Sequence, residues 1–165
     1  NTLAKAPQNS FQSKLRLFMI AIVSVLLGGG VMLMIVTQWV LVLDPWFLPR
    51  YMIPLAGMIF ATAMTSISLA GERLQSELAQ GKSYEDAGKI AFNTSMIPNI
   101  NAMFAVGLVS LPGMMTGQIL SGVSPFIAAR YQIMVMCMLF SAAGISAFVF
   151  LALAKAQFSA DRRND

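Results

Sequence analysis

The sequence predicts an all-α, polytopic membrane protein with about four transmembrane helices. Hydrophobic residues make up 57% of the 165 residues and charged residues only 11%, whereas a soluble globular domain carries about 25% charged residues. A chain of this composition has too few polar groups to cover a soluble surface. Four stretches contain no charge, and each is longer than the roughly 20 apolar residues that cross a bilayer. They are residues 17–43, 51–71, 90–129 and 131–154.

The first two predicted transmembrane helices occupy residues 17–71. Three successive glycines at 28–30 lie in the middle of the first helix, where they permit a kink or the close approach of another helix. A turn at 44–51 contains Trp and Tyr, which suit the boundary with the lipid headgroups. The second helix is rich in small residues and hydroxyl groups, and these favour packing against protein helices over packing against lipid.

Residues 72–92 form a charged segment that interrupts the apolar sequence. Gly81 indicates the end of a helix, and Ser83 followed by Asp86 three residues later indicates the capped start of another. We therefore expect two short helices that meet at a glycine turn outside the membrane.

Apolar side chains of the same segment point to a possible partner surface. If Tyr84, Ile90 and Phe92 are exposed, the capped helix presents an apolar face that fits a groove on another protein. A solvated connector between two transmembrane helices is the alternative.

The last two predicted transmembrane helices occupy residues 94–154, with a broken stretch at 111–125. A single helix from 94 to 129 would be about 54 Å long, against an apolar bilayer core of about 30 Å. The break is expected at Pro112-Gly113. Non-helical backbone at membrane depth is tolerated where protein buries it or where it lines a water-filled cavity. The stretch is therefore either the wall of a transport pathway or an outer loop between two helices.

Neutral polar and sulfur-containing side chains gather around this break. They offer contacts to a passing cargo, and a thioether pair offers soft ligands to a metal ion. Packing is the alternative for each, because asparagines in membrane helices bond to neighbouring helices and methionines fill gaps in cores. The candidate pathway residues are Asn99, Asn101, Met114, Met115, Thr116 and Gln118, and the candidate metal ligands are Met114 and Met115.

Lysine and arginine are distributed unevenly along the chain. Residues 1–16, 72–92 and 155–165 carry three each, and the remaining two are Arg50 and Arg130. Basic residues accumulate on the cytoplasmic side of a membrane. We therefore expect a multi-pass protein of the inner (plasma) membrane, with a basic cytoplasmic segment at 1–16, a cytoplasmic hairpin at 72–92 and a cytoplasmic tail at 155–165.

The composition argues against an enzyme. The chain contains no histidine and a single cysteine, Cys137, so it lacks the usual proton carrier at neutral pH and cannot form an internal disulfide. Gly-Lys-Ser at 81–83 lacks both the earlier glycine and the preceding strand of a phosphate-binding loop. We expect no catalytic site, no cofactor bound by this chain and no nucleic-acid partner.

Three stretches of the sequence resemble one known family. The stretch LPGMMTGQILSGVSPFIAARYQI, which begins at residue 111, closely resembles the signature region of the FetB/YbbM-like permeases. These are the transmembrane partners of a bacterial ABC system linked to iron efflux, with plant relatives tied to aluminium tolerance. The stretches DPWFLPRYMIPLAGMIFATAMTSISLA (44–70) and MIPNINAMFAVGLVSLPGMM (96–115) resemble the same family in the expected order. Together the three cover roughly half of the chain, and residues 72–92 depart from the family pattern.

The resemblance implies a permease subunit of an ABC transporter that exports iron or another metal. Such a subunit forms a homodimer in the bilayer and docks cytoplasmic ATPase subunits, which use the ATP. It also implies further transmembrane helices ahead of Asn1. A permease for a non-metal small molecule and a membrane scaffold subunit without a transport path are the alternatives. The candidate residues for coupling to the ATPase are Glu77, Gly81, Tyr84, Ile90 and Phe92.

Overall fold

The computed structural model describes residues 6–42, 44–45, 47–108 and 112–161, and this part of the chain contains helices and no strands. A single π-helical turn, Val36–Val40, continues the first helix. The predicted all-α class is confirmed. Residues 1–5 of the predicted N-terminal segment, residues 162–165 of the predicted tail and residue 111 of the predicted broken stretch lie outside the described residues. The five α-helices are α1 (Ala6–Ile35), α2 (Pro49–Ala79), α3 (Tyr84–Leu108), α4 (Gly113–Leu120) and α5 (Pro125–Asp161).

Three helices in the described ranges are long and apolar enough to cross a membrane, whereas the sequence predicted about four. They are Leu15–Val40, Pro49–Ala79 and Pro125–Gln157. The helix α3 is not among them. Its first turn carries Glu85 and Asp86, and it ends at Leu108. Three asparagines and Pro98 also make the intervening residues less apolar.

The sequence predicted a separate pair of short helices in the charged segment, and the structure does not have them. Instead, α2 continues without interruption from its apolar part to Ala79, and α3 runs from Tyr84 into its own apolar part. The turn does lie at Gly81, where φ is +84°. Glycine adopts this left-handed conformation without the steric cost of a side chain.

Local hydrogen bonds close both sides of this turn. The N–H groups of Gly81 and Lys82 donate to the carbonyl oxygens of Leu78 and Glu77 at 3.0 and 3.3 Å, which is the Schellman arrangement of a helix end. The Ser83 hydroxyl accepts from the Asp86 N–H at 3.2 Å and donates to the Asp86 carboxylate at 2.6 Å. The predicted cap of α3 is therefore confirmed.

The long helix α5 holds the bundle together, because it packs against each of the other four α-helices. Two groups of buried side chains fill the interior. We call them the turn-end core and the far-end core, since the first lies beside the α2–α3 turn. The turn-end core consists of Ile67, Ala70, Leu74, Ala87, Ala91, Ala147, Phe150, Leu151 and Ala154. The far-end core consists of Val36, Leu55, Ile59, Val135, Met138 and Ala142.

The glycines in the middle of α1 allow two close helix contacts. A Cβ atom at Gly28 would lie 2.8 Å from the Cα atom of Ser146 on α5, and one at Gly29 would lie 2.8 Å from the ring of Phe60 on α2. Small residues let the backbones of membrane helices approach in this way. Of the two predicted roles, close approach is the one observed, and α1 continues as a helix through these positions.

The predicted break near Pro112 is confirmed, but the stretch that follows is mostly helical. The helix α3 ends at Leu108, and the short helix α4 begins directly after Pro112. A second Schellman turn ends α4 at Gly122, where φ is +88°, with the Val123 N–H donating to the Gln118 carbonyl oxygen. The far end of the bundle therefore contains a short helix, α4, that packs against α5.

Candidate functional site

Glu77 lies at the base of the α2–α3 turn with its side chain only 1% exposed. Its Oε1 atom lies 2.6 Å from Nη2 of Arg73, and its Oε2 atom lies 2.5 Å from Nζ of Lys82. The Glu77 carbonyl oxygen also accepts hydrogen bonds from the backbone N–H groups of Gln80 and Lys82. The predicted coupling residue Glu77 therefore joins the two sides of the turn and fixes its shape.

The apolar residues predicted to form an exposed docking face pack instead against the protein's own interior. Tyr84 and Phe92 are half-buried on the turn-end core, and Ile90 is half-buried as well. The Tyr84 hydroxyl donates a 2.8 Å hydrogen bond to the carbonyl oxygen of Leu151. Burial raises the pKa of the Tyr84 phenol to about 12. The expectation of an exposed apolar face is wrong, because Tyr84 and Phe92 pack on the turn-end core and the Tyr84 hydroxyl bonds to α5.

The surface that the turn presents to solvent is mainly polar. Exposed amide, hydroxyl and ammonium groups surround the exposed Gly81. A protein that docks on this surface would be recognised by hydrogen bonds and charge rather than by apolar burial. We call this surface the hairpin tip; it consists of Gln75, Ser76, Ala79, Gln80, Gly81, Lys82 and Ser83.

Asn99, the first predicted pathway residue, lies in the contact between α2 and α3. Its Nδ2 atom lies 3.1 Å from the hydroxyl oxygen of Ser66, which is fully buried. Hydrogen bonds of this kind join neighbouring membrane helices. Asn101, two residues further along, is exposed on the surface of the described chain. The two asparagines therefore do not share one environment.

The other predicted pathway residues lie together on α4. Met114 packs against the far-end core, and Met115 is half-buried; their side chains leave the helix about 100° apart. The Thr116 hydroxyl donates to the Pro112 carbonyl oxygen at 3.2 Å. The Oε1 atom of Gln118 is buried and accepts no hydrogen bond from the described residues. It is the polar atom of α4 that an incoming donor or cation would satisfy.

The structure divides the predicted pathway into two parts. Asn99 lies about 14 Å along α3 from its Leu108 end, whereas α4 packs on α5 at the far end. No group of three or more His, Cys, Asp or Glu side chains that suits a metal ion occurs within the described ranges. The donors on α4 are instead neutral thioether, hydroxyl and amide groups.

Sequence reasoning missed several partners of the predicted residues. Arg73 precedes Glu77 by one helical turn, a spacing at which opposite charges meet, so this pair was detectable. Lys82 follows the glycine turn, and its pairing with Glu77 depends on the path of the backbone there. The Nζ atom of Lys155 lies 3.1 Å from the Oε1 atom of Glu85. Nothing in the local sequence links these two residues.

Comparison with known proteins identifies relatives along most of the chain. It is 40% identical over 127 residues to a UPF0014 membrane protein of Synechocystis and 36% identical over 149 residues to the probable iron export permease protein FetB of Escherichia coli. It is 39% identical over 115 residues to the protein Aluminum Sensitive 3 of Arabidopsis thaliana.

These alignments cover 67%, 80% and 61% of the chain, but 49%, 56% and 42% of the three relatives. The chain therefore spans about half the length of the curated relatives it matches. No solved protein structure matches it. The sequence pattern of one family matches residues 3–87 and 79–159, and the two segments overlap at the α2–α3 turn. Because these segments include nearly every helix described above, the chain belongs to the uncharacterised protein family UPF0014.

Proposed function

We propose that the chain is a permease subunit of an ABC transporter that exports iron or another metal across the inner membrane. The observation that carries the proposal is the similarity to the probable iron export permease of Escherichia coli, which extends over 80% of the chain. The resemblance of the α4 region to the signature of such permeases supports it. The permease is not an enzyme itself, so a separate cytoplasmic subunit hydrolyses the ATP.

The shape of α2 and α3 suits the transmission of movement from the hairpin tip to the far end. The helix α2 is unbroken over 31 residues, a length of about 46 Å, and the buried Glu77 ion pairs hold its end against the turn. A displacement of the tip by a bound ATPase would therefore move α2 and shift α3, which packs along it. Alternating access follows if this movement changes the packing of α4 on α5.

Neutral donors on α4 would contact the cargo during its passage. Thioethers suit soft ions such as Cu(I) better than Fe(II), so a few neutral donors would hold iron only weakly and release it readily. The buried, unpartnered Gln118 oxygen and the half-buried Met115 are the groups best suited to this role. Asn99 would adjust its bond to Ser66 as α2 and α3 move.

The first test asks whether an ATP-binding subunit docks on the hairpin tip. Ser76→Arg and Gln80→Arg change exposed tip residues that contribute nothing to the core, and Ser124→Arg is the control at the other end of the bundle. We expect the full-length wild-type protein and the control to retain the ATPase subunit in mild detergent. The amount of ATPase subunit that the two tip variants retain should be at least tenfold lower than in the wild type. Retention by all variants, or purification without any nucleotide-binding partner, would contradict the proposal.

The second test addresses the cargo. Met115→Leu and Gln118→Leu remove a candidate donor while keeping the size of the side chain, and Met64→Leu is a control because Met64 is 59% exposed on α2. We expect iron efflux from cells to slow severalfold in the two α4 variants and to stay at the wild-type rate in the control. Unchanged efflux in the two α4 variants would remove Met115 and Gln118 from the pathway. If deletion of the permease itself leaves iron efflux unchanged while the ATPase subunit still binds the wild-type protein, the cargo is not iron.

A scaffold role is the second candidate, and the Asn99–Ser66 hydrogen bond favours it because this bond is sufficient to explain a polar residue inside the bundle. A scaffold needs no cargo contacts. It therefore predicts that Asn99→Leu and Gln118→Leu leave every transport rate unchanged.

A further inference from the structure

A groove of about 690 Å³ lies between α3 and α5, beside the α2–α3 turn. Its apolar wall includes Phe92, Phe148 and Leu151, and its rim carries Glu85, Lys89 and Lys155. Phe148 is 66% exposed in this groove. A large aromatic ring below two ammonium groups is an arrangement that suits an amphiphilic ligand.

Gly88 keeps the groove open. It lies in the groove lining on α3, and a Cβ atom there would meet its nearest neighbour, a ring carbon of Tyr84, at 3.9 Å. This is an ordinary van der Waals distance, so packing does not require glycine at this position. Glycine within a helix costs roughly 1 kcal/mol relative to alanine. The structural effect of Gly88 is that a space remains where a side chain would project.

The rim of the groove is positive and lies at one boundary of the predicted membrane region. Lys155 is close to the end of the apolar part of α5, which reaches Gln157, and Phe148 lies about 10 Å deeper along the same helix. Lys155 pairs with Glu85, but the two side chains are 53% and 71% exposed, so this surface pair is weak. With Lys89 the rim has one more positive than negative charge.

We propose that this groove binds an anionic phospholipid. The ammonium groups of Lys89 and Lys155 hold the phosphate of the headgroup, and the aromatic wall formed by Phe92 and Phe148 holds the first part of an acyl chain. Basic pockets between membrane helices bind anionic headgroups in this way, and lysine stems extend along apolar surface while their charged ends stay in the polar layer. The assignment does not depend on what the chain transports.

Native mass spectrometry of the full-length protein in mild detergent tests the proposal. The lipids are phosphatidylglycerol and phosphatidylcholine with identical acyl chains. We expect the wild type to prefer phosphatidylglycerol, and Lys89→Gln and Lys155→Gln each to weaken its binding roughly fivefold. Arg16→Gln is the control, because Arg16 is an exposed cation outside the groove.

A second variant separates the groove from surface charge in general. Gly88→Leu fills the groove without altering any charge, and Gly57→Leu is its control at a position where a Cβ atom meets nothing within 4 Å. We expect only Gly88→Leu to abolish the preference for phosphatidylglycerol. Unchanged lipid binding in Gly88→Leu and in both lysine variants would overturn the proposal. Loss of an ATP-binding subunit with unchanged lipid binding would also overturn it, by assigning the groove to that protein.

Discussion

Gly28 is the position where one added methyl group would disturb the packing of α1 most directly. The new Cβ atom would lie 2.8 Å from both the backbone N and Cα atoms of Ser146, and backbone atoms of a long helix cannot move aside as a flexible side chain can. Overpacking of this kind costs about 1–3 kcal/mol. We therefore expect Gly28→Ala to lower the midpoint of thermal unfolding, measured by circular dichroism in detergent.

The neighbouring Gly30 provides the control for this substitution. A Cβ atom at Gly30 meets nothing within 4 Å, and alanine is the better helix former. Gly30→Ala should therefore leave the midpoint unchanged or raise it slightly. An equal decrease in the unfolding midpoint for the two alanine variants would show that the close contact between α1 and α5 does not determine stability.

The ion pairs of Glu77 predict that losing the two cations destabilises the protein more than losing the carboxylate. The carboxylate is buried, whereas the side chains of Arg73 and Lys82 are 46% and 41% exposed. Replacing both cations by methionine leaves a buried charge without compensation, which is more damaging than losing the pair as a whole. We expect the midpoint of thermal unfolding to fall further in the Arg73→Met/Lys82→Met double variant than in Glu77→Gln. The reverse order would mean that the carboxylate is solvated in the folded protein.

At the scale of helices, Tyr84 joins the first turn of α3 to α5 through the Leu151 carbonyl oxygen. Removing one such hydrogen bond costs about 1 kcal/mol, so Tyr84→Phe should be slightly less stable at neutral pH. The pKa of this phenol rises from its usual 10.0 to about 12 in the folded protein. The stabilising effect of the neutral phenol is therefore complete below pH 10 and is lost as the pH rises through 12.

The measurement is the difference in unfolding midpoint between the wild type and Tyr84→Phe as a function of pH. The difference should be constant from neutral pH to about pH 10 and should then shrink, because only the wild type loses this contribution. The other tyrosines are present in both proteins, so any contribution they make cancels in the comparison. A constant difference at all pH values would contradict the burial of Tyr84.

The sequence predicted the ends of helices better than the surroundings of their side chains. Gly81 and Ser83 act through atoms at most five residues away, so the turn and the cap of α3 were visible in the local sequence. The burial of Tyr84 depends on Leu151, 67 residues further along, and no local pattern contains that contact. The same reason explains the Glu85–Lys155 pair.

The candidate site shows the same difference between local and distant information. Pro112 marks the break in the chain correctly, yet the following residues form α4 because Pro112 and Gly122 bound a segment whose eight residues 113–120 are compatible with a helix. The local sequence permits both a pathway and a packing role for Asn99. Its bond to Ser66 depends on how α2 and α3 lie side by side, which no local pattern specifies.

At the scale of the whole molecule, the distribution of basic residues makes a prediction about orientation. The helix α3 is less apolar than the three candidate spans, but its 25 residues extend about 37 Å beside α2 and α5 and carry the chain to the far end of the bundle. The α2–α3 turn with its flanking Arg73, Lys82 and Lys89 should therefore lie in the cytoplasm, and the α4–α5 connection should lie on the other side. Gln80 and Ser124 are exposed at these two places. Each becomes a single reporter when replaced by cysteine in a Cys137→Ala background, since Cys137 is the one native cysteine.

A membrane-impermeant maleimide applied to intact spheroplasts distinguishes the two sides. We expect Ser124→Cys to react fully and Gln80→Cys to react only after the membrane is opened, because an ionic reagent does not cross the bilayer core. The Cys137→Ala protein without a new cysteine gives the background. Reaction of Gln80→Cys in intact spheroplasts would place the hairpin tip outside. A cytoplasmic ATPase would then have no access to it, and coupling at this end of the bundle would be physically impossible.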